Sequence, residues 1–307
     1  MSYHIVSIDS PQCSLSCRDG QLICRSEDGE ERKLPMEDIA SIVITSFSAN
    51  MNSNLLLESA RLGVSLVICK EFKPTSLLLP ANRSTDTLLT RAQVALPEKV
   101  RGDLWKKTVD AKCQNQLALA RKITNESQGL QRLQEVADGI SRSKESTAAR
   151  LFWGIFGRSI GSPSFRRRRN EEGLNSLLNY GYAVLLSSVL QKIFGLGIDP
   201  TFGVAHSIRE RSTPLAYDLM EPFRPCVDWR VFQWVKQYRP DPKLWIVDRE
   251  FRQWIILFLS DVVSHMNIKL EVQNCIESSI RTFRKAAIVQ KATSYKPWTL
   301  KNSRWAG

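Results

Sequence analysis

Apolar and polar positions along the chain change their period near residue 85. The stretch QCSLSCRDGQLICRS alternates on both sides of Asp19-Gly20, the pattern of a two-stranded hairpin. IASIVIT and GVSLVICK are β-branched apolar runs suited to buried strands. Between them NSNLLLESARLG carries Leu55, Leu56 and Ala60 at helical spacing and stops at Gly63, as expected of a C′ glycine. KPTSLLLPANRSTD reads as a strand followed by a linker. Beyond Asp86 the period is helical: a long amphipathic pattern broken by Pro97, then SKESTAARLFWGIFGRSI, then the mostly apolar NEEGLNSLLNYGYAVLLSSVLQKIFG. Thr213-Pro214 is an N-cap and N1 pair that opens another helix. REFRQWIILFLSDVVSHMN and LEVQNCIESSIRTFRKAAIVQK are expected to close the bundle as helices. The pattern predicts an α+β chain, with a small β-rich N-terminal domain over 1–85 and a larger all-α helical domain over 86–307.

Charge sharpens this division. The 307 residues carry a formal net charge of +12. Residues 1–80 hold 7 Lys and Arg against 10 Asp and Glu, a balance of −3, and residues 81–307 hold 36 against 21, a balance of +15. A basic surface of that size attracts polyanions and supplies phosphate contacts, so nucleic acid is the first partner expected and an acidic membrane surface the second. The start of the chain lacks the basic and apolar regions of a signal peptide. YGYAVLLSSVLQKIFGLGI is interrupted by Ser, Gln and Lys and reads as a buried helix. Seven cysteines, an odd number, argue against a disulfide framework, and the expected setting is a reduced cytoplasm. Cys13, Leu15 and Cys17 fit the core face of one strand. His4 and His265 lie in apolar surroundings and are expected to pack. No P-loop, Rossmann fingerprint, G-x-S-x-G or H-E-x-x-H occurs.

The segment GVAHSIRERSTPLAYDLMEPFRP holds the densest chemistry. On a helix opened by Pro214, Asp218 and Glu221 share a face, and Pro222 ends or kinks that helix beside Glu221. His206 lies upstream and can fold back onto the same face. Spacing leaves two readings open: a divalent-metal site, or an ion-pair network with Arg209, Arg211 or Arg224. Glu145, opening the helical ESTAARLFW, is the candidate for a further ligand by context, or an acid that merely favours a first helical turn. Arg166, Arg167, Arg168 and Arg169 lie in an expected loop. They cannot all bury, and their guanidinium forks match phosphate oxygens. ATSYKPWTLKNSRWAG suits a docking tail or a frayed end.

KESTAARLFW, LNSLLNYGYAVL, GVAHSIRERSTPLAYDLMEPFRP and LWKKTVDAKCQNQ together resemble the CRISPR-associated integrase family, and the last of these looks most like its type II branch. The resemblance implies a metal-dependent endonuclease and integrase that inserts short duplex DNA into a CRISPR array, with 3′-hydroxyls attacking phosphodiesters. It implies Mg²⁺ or Mn²⁺ held by Glu145, His206 and Glu221, with Asp218 as a neighbouring acid that holds water or orients His206. Ser146 stands where many relatives carry glycine. Arg166 to Arg169, Arg209 and Arg211 are the expected grips on double-stranded DNA. The implied partners are a second copy of the chain, a small companion protein bridging two dimers, and type II effector machinery. A structure-selective endonuclease and a non-catalytic DNA-binding scaffold are the competing readings.

Overall fold

A computed structural model describes residues 4–8, 10, 12–44, 46, 48–70, 73–78, 87–140, 143–168, 171–206 and 213–300. The N-terminal part contains β1 (His4–Ile8), β2 (Ser14–Arg18), β3 (Gln21–Arg25), β4 (Glu31–Pro35), β5 (Ile39–Ile44), β6 (Asn50–Met51), α1 (Ser53–Leu62), β7 (Ser65–Lys70) and β8 (Lys73–Leu78). Asp19 and Gly20 both adopt positive φ, 51° and 73°, which matches the twist of the β2–β3 hairpin they join. One sheet runs in the order β4-β3-β2-β6 and a second in the order β1-β5-β7-β8. In the second sheet β5 and β7 pair in parallel, with α1 as the crossover. Gly63 ends α1 in the left-handed conformation (φ 72°) that a Cβ would strain. Cys13, Leu15 and Cys17 are buried in a core shared with Ile39, Ile42 and Leu66.

The rest is mostly helical: α2 (Thr87–Val94), α3 (Glu98–Ile123), α4 (Ser127–Asp138), α5 (Lys144–Ser159), α6 (Leu174–Gly195), α7 (Pro214–Met220), α8 (Arg224–Gln233) and α9 (Arg249–Ile256). Two strands, β9 (Val262–His265) and β10 (Ile268–Glu271), precede α10 (Val272–Val289). The all-helical expectation for SDVVSHMN is thus corrected. Val262 and Val263 are β-branched, and Met266 and Asn267 take positive φ (49° and 67°), which closes a hairpin rather than extending a helix. α6 is buried along its length and packs against β5, β7 and β8 as well as α7, α8 and α10. Among the described residues no helix is long and apolar enough to cross a membrane.

The last described segment folds back into the core. Trp298 is fully buried, stacks on Phe223 at 5.4 Å, and its backbone N–H donates to Ser279 Oγ. Buried Asn115 of α3 staples it: its amide N–H₂ donates to the Pro222 and Trp298 carbonyls, and its oxygen accepts from the Leu300 N–H. A frayed end is therefore excluded up to Leu300; Trp305 lies outside the described residues.

Candidate active site

Three elements deliver the acidic residues. α5 begins at Lys144, so Glu145 falls in its first turn. α7 starts with Pro214 at its first position and gives way after Met220 to a 3₁₀ turn, Glu221–Phe223, before α8. Pro222 has no N–H to continue the α-helical ladder, so the expected break beside Glu221 is present. α3 runs beneath both and is buried from Thr108 to Ala120 apart from a half-buried Asp110.

Lys112 of α3 joins the carboxylates. Its Nζ lies 2.7 Å from Glu145 Oε1 and 2.7 Å from Glu221 Oε2. Both contacts are direct ion pairs, and Glu221 Oε2 is buried against the ammonium. Arg224 Nε donates to the other oxygen of Glu221 at 2.8 Å. Burial would raise the Glu221 carboxyl, but Arg224 and Lys112 outweigh it and hold it at about 2. Burial likewise disfavours a charged Lys112, and the two glutamates reverse that and raise it. One residue along on α5, Lys144 reaches Asp110 of α3 at 2.6 Å, so two crossed ion pairs fix the register of the helices. The ion-pair reading holds at Glu221 through Arg224, with Lys112 as the partner that spacing had not indicated.

His206 and Asp218 form a second group. His206 Nδ1 is 2.7 Å from Asp218 Oδ1, and the same carboxylate accepts from the backbone N–H groups of Val204, Ala205 and His206. Asp218 therefore orients the imidazole and fixes the loop that carries it. Gly203 makes this loop possible, because a Cβ there would meet the His206 carbonyl oxygen at 2.3 Å. Trp105 of α3 approaches the ring edge-on at 5.9 Å, and Tyr217 lies at 6.4 Å. Trp105 also lines a cavity of about 920 Å³ together with Lys106, Lys107, Lys144, Glu145 and Lys296. His265 is buried beside Ser278 and is depressed by burial, as its expected packing role requires.

Among the described residues no three His, Cys, Asp or Glu side chains close on a common point. Glu145 and Glu221 meet through Lys112, and His206 meets Asp218. The oxygen donors nevertheless fit a hard divalent cation: one oxygen of each glutamate already lies 2.7 Å from a single positive charge, the Lys112 ammonium. With Nδ1 engaged by Asp218, His206 would ligate through Nε2.

The arginines divide. Arg166 and Arg168 are exposed, and Arg168 pairs with Glu171 at 2.7 Å. Arg167 turns inward, donating to Asn175 Oδ1 and Asn179 Oδ1 and lying 5.3 Å over the Tyr182 ring. Arg169, Arg209 and Arg211 lie outside the described residues. Lys112 and Asn115 are the functional-looking residues that spacing missed. Their signal was present: Thr108, Lys112, Asn115 and Leu119 share the buried stripe of α3 at helical spacing.

A β-rich module joined to a helical body, with an acidic pair and a carboxylate-oriented imidazole beside a lysine-lined cavity, defines a two-part α+β protein with a polar site within its helical part. The chain matches the family model of CRISPR associated protein Cas1 over residues 6–252, and it belongs to that family. It is 31% identical over 231 residues to a CRISPR-associated endonuclease Cas1 from Neisseria meningitidis, covering 73% of this chain and 74% of the relative. A Cas1 endonuclease from Francisella tularensis subsp. novicida is 25% identical over 312 residues, covering 94% and 96%. The fold resembles a casposase bound to integration product (TM-score 0.77, 22% identity, 95% of this chain and 92% of that one). It also resembles a Cas1 protein from Thermotoga maritima (TM-score 0.76, 16% identity, 93% and 97%). The chain is thus a CRISPR-associated protein of the family whose curated relatives are named endonucleases.

Proposed function

We propose that the protein inserts short duplex DNA into a CRISPR array by phosphoryl transfer that depends on a divalent cation. The observation that carries this reading is the approach of two carboxylates, from α5 and from the turn after α7, to one cation position at Lys112. Glu145, Glu221 and His206 would hold Mg²⁺ or Mn²⁺, which when bound polarises the scissile phosphate and offsets charge on the displaced oxygen. Asp218 holds the imidazole through Nδ1, which would leave Nε2 to the cation, and Lys112 keeps the two acids together. Trp105 and the cavity lysines would seat the incoming strand, so that its 3′-hydroxyl forms the new P–O bond as the array strand's bond breaks. The −3 balance of residues 1–80 would repel DNA, so residues 1–85 serve contacts between copies of the chain, and residues 86–307 carry catalysis and DNA. A small companion of the Cas2 kind would bridge two dimers, and type II effector machinery would join them.

The curated relatives are called endonucleases, which favours a second reading in which water replaces the 3′-hydroxyl at the same site. One experiment separates them. A labelled duplex with free 3′-hydroxyls is mixed with supercoiled leader–repeat plasmid, Mn²⁺ or Mg²⁺ and the companion protein. Wild type should join label to plasmid, whereas Glu221→Gln and His206→Ala, folded and DNA-binding, should not. Cleavage without joining would favour the nuclease, and equal joining by the variants would move the chemistry elsewhere.

A further inference from the structure

A polar stripe runs through the otherwise apolar seam between α6 and α8. On α6 it consists of Asn175, Asn179 and Tyr182, whose spacing puts them on one face, and on α8 of Arg224 and Asp228, four residues apart. Asn175, Tyr182 and Asp228 are buried. Such groups are costly to bury, and an apolar seam of the same volume would pack the two helices at least as well. The stripe is therefore to be explained by what it holds.

It holds Arg224. The guanidinium carbon lies 4.5 Å over the Tyr182 ring, and Nε donates to Glu221 Oε1 at 2.8 Å. The ring is itself fixed in two ways. Its hydroxyl donates to Asp228 Oδ1 at 2.5 Å, and Arg167, anchored on Asn175 and Asn179, lies over it at 5.3 Å. Asp228 is a competitor for the same cation. Its Oδ2 is buried with no hydrogen-bond partner among the described residues, and the charge of Arg224 acts on it as well as on Glu221. A guanidinium free to swing would exchange Glu221 for that oxygen, whereas one seated on an aromatic face stays with Glu221.

We propose that Tyr182 is a positioning residue for Glu221 and acts through Arg224: the ring seats the guanidinium, and the guanidinium sets the carboxylate for a divalent cation. This rests on the reading of Glu221 as a metal ligand. α6 suits the task, because a helix buried along its length carries the ring on a rigid support.

The test is Mn²⁺ binding to the full chain by calorimetry, without DNA, on variants that thermal unfolding shows to be folded at the titration temperature. Tyr182→Met fills the space without a ring and should weaken Mn²⁺ binding about 10-fold, the low end of the loss when the group behind a metal ligand is removed. Tyr182→Phe keeps the ring and should restore most of the affinity. Arg224→Lys keeps a charge beside Glu221 but not the planar fork, so it should weaken binding as Tyr182→Met does. If the ring acts through the guanidinium, Tyr182→Met should add little in an Arg224→Lys background. A purely structural tyrosine would lower the unfolding temperature and leave the Mn²⁺ affinity of the folded protein unchanged. That result, or losses that add, would overturn the proposal. Should Tyr182→Met not fold, Arg224→Lys decides: a loss supports the proposal and wild-type affinity overturns it. Glu221→Gln separates this proposal from the reading beneath it. Weakened binding there beside unchanged binding in Tyr182→Met would leave the metal site standing without the tyrosine, and wild-type binding by Glu221→Gln would overturn both.

Discussion

Glu221 in the 3₁₀ turn and Asp228 in α8 are two carboxylates seven residues apart, both buried, yet their surroundings shift them in opposite directions. Glu221 touches two cations, Lys112 and Arg224, and is held at about 2. Asp228 is 1% exposed; burial lifts it to about 7 despite the Tyr182 hydroxyl that donates to it at 2.5 Å and the charges of Arg224 and Arg167 further off. Arg224 is common to both regions, with its Nε on Glu221 and its guanidinium carbon 4.5 Å over the Tyr182 ring. What separates them is direct ion pairing. A buried acid stays ionised when cations touch it and drifts toward neutrality when its nearest donor is a phenol.

Removing Lys112 is the strongest way to break this contrast. Lys112→Met leaves Glu221 buried with Arg224 alone and frees Glu145, and loss of one member of a buried pair costs about 3–5 kcal/mol. Urea unfolding at pH 7 should show a loss of that size, smaller toward acid pH as Glu221 becomes easier to protonate. An unchanged midpoint would mean that Lys112 does not hold the acids together. Asp228→Asn comes next. The folded Asp228 binds its proton up to about pH 7 and the unfolded one only to about 4, so its contribution is full below pH 4 and is lost as pH rises through 7. The asparagine variant should flatten that decline, an effect of a few kcal/mol between pH 4 and 7. Glu221 runs the other way: its stabilisation is present above the usual carboxylate value and is lost as pH falls through about 2.

How much of this was legible beforehand follows from where the information sits. The Asp19-Gly20 turn, the Gly63 stop and the Pro214 and Pro222 boundaries are local backbone chemistry, and each is present as expected. The roles of Lys112 and Arg167 depend on neighbours far along the chain. Lys112 is 33 residues from Glu145 and 109 from Glu221, and a lysine in DAKCQNQ looks like a surface residue until its stripe is traced. Arg167 sits in a run that looks solvated, yet Asn175, Asn179 and Tyr182 on α6 supply two acceptors and an aromatic face. The β9–β10 hairpin was hidden by Leu257 to Leu259, which continue the apolar run of α9 as a 3₁₀ turn before the strand begins.

A third acid in the segment sharpens the comparison. Asp218 is 1% exposed and is held by three backbone N–H groups and an imidazole, and among the described residues no Lys or Arg forms an ion pair with it. Asp218→Asn keeps the shape but weakens the hold on the His206 ring. If His206 is a ligand, Mn²⁺ affinity measured by calorimetry should fall about 10–100-fold, the usual cost of losing the group behind a histidine ligand. Far-ultraviolet dichroism should be unchanged. Unaltered Mn²⁺ binding would leave Asp218 a loop anchor only.

The smallest expected effect is at the phenol. Tyr182→Phe removes the hydrogen bond to Asp228 Oδ1 while leaving the ring beneath Arg167 and Arg224. A buried acceptor that loses its donor costs about 1–3 kcal/mol, with the low end expected because a protonated Asp228 needs that donor less. The hydrogen bond favours the ionised form, so without it Asp228 should hold its proton to still higher pH. The fall in stability with rising pH should then extend beyond pH 7, whereas in Asp228→Asn it flattens. Denaturation curves for the two variants at pH 5, 7 and 8 distinguish these outcomes. Parallel curves would show that the phenol and the carboxyl act independently, and that burial alone sets the charge of Asp228.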